Sequence, residues 1–95
     1  MAQILCIGDA MLDVIVKMQG QMYLGSDTIS QISTHGGGAA ANTATWLASS
    51  GHKVFYVCRL GDDAAGRVIA NEFDAWNIEY KPEFLNEHRT GIVVV

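Results

Sequence analysis

Two short, nearly all-apolar runs, each closed by a glycine and an acid, restrict most tightly how this chain can fold. Residues 3–7 (QILCI) stop at Gly8-Asp9, and residues 53–60, which contain VFYVC, stop at Gly61-Asp62-Asp63. Runs without polar alternation fit strands covered on both faces, as in parallel sheets. Parallel strands need a crossover between them. The stretch AAANTATWLASSG supplies one: Ala40, Ala44, Leu47 and Ala48 recur at helical spacing, and Gly51 stands where a C-terminal cap belongs. The spacing predicts a helix over about 39–50.

A second helix is expected over about 64–76, with Ala65, Ile69, Phe73 and Trp76 on one stripe and Arg67, Glu72 and Asp74 largely elsewhere. Asp62 or Asp63 can cap it. Between the first apolar run and the first helix, residues 13–18 alternate: Val14, Val16 and Met18 fall on one side, Asp13, Ile15 and Lys17 on the other. That pattern is a half-exposed strand with one face free to meet water or a ligand. Residues 28–34, rich in Thr, Ile and Ser, read as a second such strand after a Gly- and Ser-containing loop. An edge strand over 78–84, interrupted by Pro82, and a stronger strand over 91–95 complete the order. The succession is that of a doubly wound α/β core carrying a small β insertion near its start. No internal repeat or low-complexity segment occurs.

Ninety-five residues suffice for one core and not for two, so a complete two-domain enzyme is excluded. With 49% apolar and 17% charged residues the chain sits among folded globular proteins. Six basic against ten acidic side chains leave a net charge of −4, with the basic ones scattered singly, so there is no electrostatic footprint for nucleic acid or an anionic bilayer. No apolar run approaches the ~20 residues of a membrane span, and no basic leader precedes QILCIG, so a cytoplasmic protein is expected. Cys6 and Cys58 lie inside apolar runs and read as reduced core residues. The final TGIVVV is a β-branched run with no turn signal after it, the expectation being an N-terminal piece of something longer.

The most informative local feature is Gly36-Gly37-Gly38 opening a helix: glycine lets backbone N–H groups approach a ligand, and a helix N-terminus favours oxygens and anions. It lacks the Lys-Ser or Lys-Thr of a P-loop and follows a polar strand, so a Walker or dinucleotide reading fits poorly; a plain flexible turn into a helix fits equally. Asn42, one turn in, is a poor helix former whose amide can donate to and accept from a polyol hydroxyl, or simply tie down the glycine loop. Asp13 can accept two hydroxyl protons from a sugar, or be an ordinary surface aspartate. His35, His52 and His88 have no metal-ligand spacing, and no Ser or Cys has a base at a recognisable offset. Gly61-Asp62-Asp63 with Gly66 reads as a strand-to-helix turn, structural rather than catalytic.

The stretch GGAAANTATWLASSGHKVFYVCRLG closely resembles the N-terminal signature of the PfkB carbohydrate kinases, also called the ribokinase family. Asn42, Gly51 and Gly61 fall where that signature puts them, and IGDAMLDVIV, GDDAAGRVIANEFDAWNIE and RTGIVVV resemble the family as well. The resemblance covers essentially the whole chain. It implies a ribokinase-like α/β core, and a kinase that transfers the ATP γ-phosphoryl group to a primary hydroxyl of a sugar or nucleoside, with Mg²⁺ and a lid that closes over the substrate. Lid strands would lie at about 13–34 and from about 90 to 95; a homodimer through those strands is expected from their exposed edges. Carried over, Asp13, Gly37, Gly38 and Asn42 would hold substrate hydroxyls, with His35, Arg59 and Thr90 as further candidates for shaping the pocket. Ala39 stands where ribokinases often have Lys, a departure that weighs against ribose.

The family's second motif, a Gly-Ala-Gly-Asp turn that supplies the oxyanion-stabilising amides and the aspartate base, has no match in these residues. Neither a catalytic residue nor a metal ligand is therefore assigned, and the chain alone is expected to be inactive, since phosphoryl transfer rests on positioning and charge stabilisation. Two other classes compete. One is a non-catalytic module or degenerate kinase remnant that dimerises through exposed β edges and Val93, Val94 and Val95. The other, a nucleotide-binding oxidoreductase fragment, is disfavoured because Gly8 is followed by Asp9, Ala10 and Met11 rather than by a glycine-rich turn.

Overall fold

The computed structural model describes residues 3–80, 83–85 and 87–95. In chain order they form β1 (Gln3–Ile7), β2 (Met11–Met18), β3 (Ser30–Gly37), α1 (Ala39–Ser49), β4 (Lys53–Val57), β5 (Arg59–Gly61), α2 (Ala64–Ala75), β6 (Glu79–Tyr80), β7 (Glu83–Leu85) and β8 (Ile92–Val94). The edge strand expected over 78–84 divides into β6 and β7, which belong to different sheets; Pro82, the expected interruption, lies outside the described residues. The single strand expected over 53–60 likewise divides, at Cys58, into β4 and β5.

A parallel sheet in the order β1-β4-β6 is the base of the molecule, joined by the two crossovers β1-α1-β4 and β4-α2-β6. Such crossovers are right-handed, and two that advance in the same direction put both helices on one face of the sheet. The burial follows. In register, Cys6 pairs with Tyr56 on the helix side, whereas Leu5 pairs with Phe55 and Ile7 with Val57 on the other. Cys6, Val54 and Tyr56 are buried, but Leu5 and Ile7 are 60% and 70% exposed. Coverage of both faces, expected from the apolar runs, is thus corrected: both faces are apolar and only one is covered. The total accessible surface, 6736 Å², exceeds the about 5,400 Å² usual for this mass.

Helix α1 begins at Gly38 and ends with Gly51 at φ 91°, a left-handed position that glycine adopts without steric cost. Helix α2 is capped by Asp63, whose carboxylate accepts from the Gly66 N–H at 2.8 Å, and it closes on Asn77 at φ 56°. Its stripe, Ala65, Ile69 and Phe73, is buried as expected, while Trp76 at its end is half exposed. Phe73 stacks between Tyr56 and Tyr80, with ring centroids 5.0 and 5.4 Å away. Tyr56, Leu60, Ile69 and Val54 are the largest fully buried side chains, each worth on the order of 1.5–3 kcal/mol of apolar burial.

A second sheet, in the order β3-β2-β8, stands out from this base: β2 and β3 are antiparallel, β2 and β8 parallel. The radius of gyration is 15.6 Å against about 12 Å for a compact chain of this length. The β2 alternation holds, since Leu12 is buried and Val14 packs on the core, whereas Ile15 and Lys17 point to the open face. The second half-exposed strand starts and ends later than expected, at Ser30–Gly37 instead of 28–34, because Gly36 and Gly37 pair with Leu12 and Met11 and belong to the ladder.

Candidate functional site

The three glycines each meet a different neighbour, and only the last one is a turn. A Cβ at Gly36 would run into the Glu72 carboxylate, and one at Gly37 would lie 2.6 Å from the Asp13 Cγ, inside the other carboxylate. Successive residues of a strand face opposite ways, so two acids flank β3 on its two faces at adjacent positions. Gly38 sits at φ 102°, with the Asp9 carbonyl oxygen 2.5 Å from where its Cβ would be. Backbone thus excludes a side chain at Gly38, whereas at Gly36 and Gly37 a side chain would have to displace the Glu72 or the Asp13 carboxylate.

Asp13 and Gly37 share the open face of the β3-β2-β8 sheet, beside His35, the cross-strand partner of Asp13. One residue further the chain enters α1 at Gly38, where no side chain caps the helix and no acid occupies the first turn. The first N–H groups of α1 therefore remain available to ligand oxygens next to the Asp13 carboxylate. Asn42 closes the first turn, its N–H donating to the Gly38 carbonyl at 2.9 Å. It is exposed and borders a cleft of about 150 Å³ together with His35, Gly36, Gly37, Glu72 and Trp76. Asp13 does not border that cleft. Gly37 is what connects the two: it carries the Asp13 carboxylate against its Cα and lines the cleft with Asn42.

The other sequence candidates lie elsewhere. Arg59 starts β5, in a separate two-stranded sheet with β7. Thr90 is buried, its hydroxyl donating to Asp63 Oδ1 at 2.7 Å and accepting from the Gly61 N–H at 2.8 Å, while its own N–H donates to Asp63 Oδ2 at 2.8 Å. The proton and one lone pair of that hydroxyl are taken, so Thr90 braces the start of α2 against the approach to β8. The N–H of Thr90 first, then that of Gly66 and the Thr90 hydroxyl, hold the Asp63 carboxyl below the usual aspartate range.

Tyr56, in the sheet beneath, donates its hydroxyl to the Asp9 carbonyl at 3.0 Å and so ties β4 to the turn that Gly38 packs on. Burial above all, with Cys58, Cys6 and Asp9 adding to it, pushes its phenol up to about 12. Nothing in the sequence marks Glu72 as a site residue. It lies on the polar side of α2 and meets a residue 36 positions away, a relation that no local spacing carries. Among the described residues no three His, Cys, Asp or Glu side chains gather as a metal site. The glycines are not followed by the lysine and hydroxyl of a phosphate loop.

The arrangement is that of an acceptor carboxylate beside uncapped helix amides, suited to neutral hydroxyl-rich molecules. A carbohydrate kinase from Agrobacterium tumefaciens superimposes with a TM-score of 0.88 at 24% identity, over 99% of this chain and 31% of its own. The fructokinase of Halothermothrix orenii matches at 28% identity and a TM-score of 0.79, over 100% of this chain and 33% of its own. Ribokinase of Arabidopsis thaliana, solved with ribose and ATP, matches at 27% identity and a TM-score of 0.81, over 99% and 31%. The chain thus spans about a third of the length of the solved structures it resembles, and its fold is ribokinase-like α/β. The family model described as pfkB family carbohydrate kinase matches residues 1–95, and the chain belongs to that family.

Proposed function

We propose that the chain is the substrate-binding and lid portion of an ATP-dependent kinase that phosphorylates a primary hydroxyl of a sugar or nucleoside. The observation that carries this reading is the Asp13 carboxylate held over Gly37, one residue before the uncapped start of α1. A vicinal diol presents two O–H donors and several lone pairs. Asp13 accepts the protons, and the amides of α1 and the side chain of Asn42 donate to the lone pairs. Gly37 and Gly38 let the backbone come close enough for this. Such contacts fix which hydroxyl faces the nucleotide, which is the positioning that phosphoryl transfer needs.

ATP would supply the phosphoryl group and Mg²⁺ would neutralise its charge, both held by residues outside these 95, which would also provide the base that takes the hydroxyl proton. The apolar face at Leu5, Ile7, Phe55 and Val57 is the surface on which the remaining two-thirds of a kinase of the relatives' length would pack. The β3-β2-β8 sheet serves as lid, and its open strand edges as the contact of a cytoplasmic homodimer. Ala39, in place of the frequent lysine, favours a substrate other than ribose.

The test is a coupled ADP-release assay on the complete coding sequence containing these residues, with ATP, Mg²⁺ and a panel of ketoses, aldoses, sugar acids and nucleosides. ADP release dependent on one of these alcohols is expected, with none from the 95-residue chain by itself. No turnover with any of them would refute the kinase reading.

A further inference from the structure

We infer that Glu72 is a positioning residue for the glycine strand: from helix α2 it grips the outer edge of β3 at Gly36 and so sets where Gly37 and Gly38 stand. The inference rests on the reading that those two glycines hold substrate.

The ladder geometry leads to it. Leu12 pairs with Gly36, yet the Leu12 N–H donates to the Gly91 carbonyl at 2.9 Å, on the opposite side of β2. In an antiparallel pair whose one member bonds away from its partner, the other does so too. The Gly36 N–H therefore points out of β3, and β3 is an edge strand, since the sheet order is β3-β2-β8. An edge N–H has no ladder partner and ordinarily takes water. Here it donates to Glu72 Oε2. Because a charged acceptor makes a hydrogen bond roughly twice as strong as a neutral one, the contact pins a strand that would otherwise be held along one side only.

Its position decides what is pinned. Glu72 is partly buried beside Phe73 and Trp76 and borders the same cleft as Gly37 and Asn42. The absence of a side chain at position 36 is what lets its carboxylate reach the backbone. Helix α2 holds both flanks of the protruding sheet: Glu72 takes β3, and Asp63, nine residues earlier, takes Thr90 just before β8. Fixing β3 from α2, a helix with buried Ile69 and Phe73, transfers the rigidity of the core to the glycines.

The test is amide hydrogen exchange by NMR on the complete coding sequence containing these residues, with Glu72→Met and Glu72→Gln. The Gly36 amide should exchange at least about tenfold faster in Glu72→Met, while Ile69, Ala70 and Tyr56 stay as protected as before. Glu72→Gln, which keeps an acceptor oxygen, should restore most of the protection. Unchanged Gly36 exchange, or an equal loss at Ile69 and Tyr56, would overturn the clamp. In the complete coding sequence, Glu72→Met should raise the KM for the sugar several-fold while kcat and the KM for ATP hold. Faster Gly36 exchange with an unmoved sugar KM would overturn the substrate role of the glycines and leave the clamp standing.

Discussion

Replacing Asp63 by alanine should destabilise the fold more than a helix cap alone explains. Its carboxylate accepts three hydrogen bonds, from the Gly66 N–H, the Thr90 N–H and the Thr90 hydroxyl, at 2.7 to 2.8 Å. Loss of the cap costs about 1 kcal/mol. Stripping the part-buried Thr90 N–H of its acceptor adds about 1–3 kcal/mol, for a total of about 2–4 kcal/mol. Against the roughly 5–14 kcal/mol expected for 95 residues, that is a large share, and about 3 kcal/mol corresponds to a fall in Tm of about 12–24 °C. Asp63→Asn keeps an acceptor oxygen and should fall between wild type and alanine. Urea unfolding followed by far-ultraviolet circular dichroism reads these differences. The cycle with Thr90→Val should be non-additive, since the two residues share their bonds. A cost for Asp63→Ala below about 0.5 kcal/mol, or strict additivity with Thr90→Val, would refute the reasoning.

The same carboxylate sets a pH dependence. Because the folded pKa of Asp63 is depressed, its contribution is fully present above the unfolded value near 3.9 and is lost as pH falls through the folded one; below about pH 4, wild-type stability should therefore drop more steeply than that of Asp63→Asn in urea titrations. Gly37→Ala should cost about 1–3 kcal/mol by overpacking against Asp13, and much of that cost should vanish in an Asp13→Ala background; equal costs in both backgrounds would rule out the contact. Tyr56 should give a titration step near pH 12 in absorbance at 295 nm that is missing in Tyr56→Phe. With its pKa raised above the unfolded value of 10, the folded state should weaken as pH climbs between 10 and 12. Burial raises the Cys58 thiol, so it should react with an aromatic disulfide reagent far more slowly at pH 8 than in urea; equal rates would contradict its burial.

What could be read from the chain divides along physical lines. Both helices and the β2 alternation are legible because a local period records which side faces the core: Ala65, Ile69 and Phe73 announce the buried side of α2, and Val14 and Val16 that of β2. An apolar run such as QILCI records that both faces of a strand are apolar but not what covers them, which is why Leu5 and Ile7 stand open here. A cap at Asp62 or Asp63 is visible from the place of the pair after Gly61, yet the choice of Asp63 and its second task, holding Thr90 across 27 residues, leave no local trace. The glycines show the same limit. Three in a row announce close approach of something; that Glu72 approaches one and Asp13 the next follows only from the pairing of β2 with β3 and the packing of α2.

Asp13 is the proposed acceptor of substrate hydroxyls, and the KM for the alcohol substrate in Asp13→Asn, measured on the complete coding sequence, tests that most directly. Hydrogen bonds to a charged group contribute about 1.5–3 kcal/mol each, so the sugar KM should rise by at least about tenfold while the KM for ATP holds. A sugar KM that does not move would show that the carboxylate over Gly37 touches no substrate, and the site described here would lose its centre.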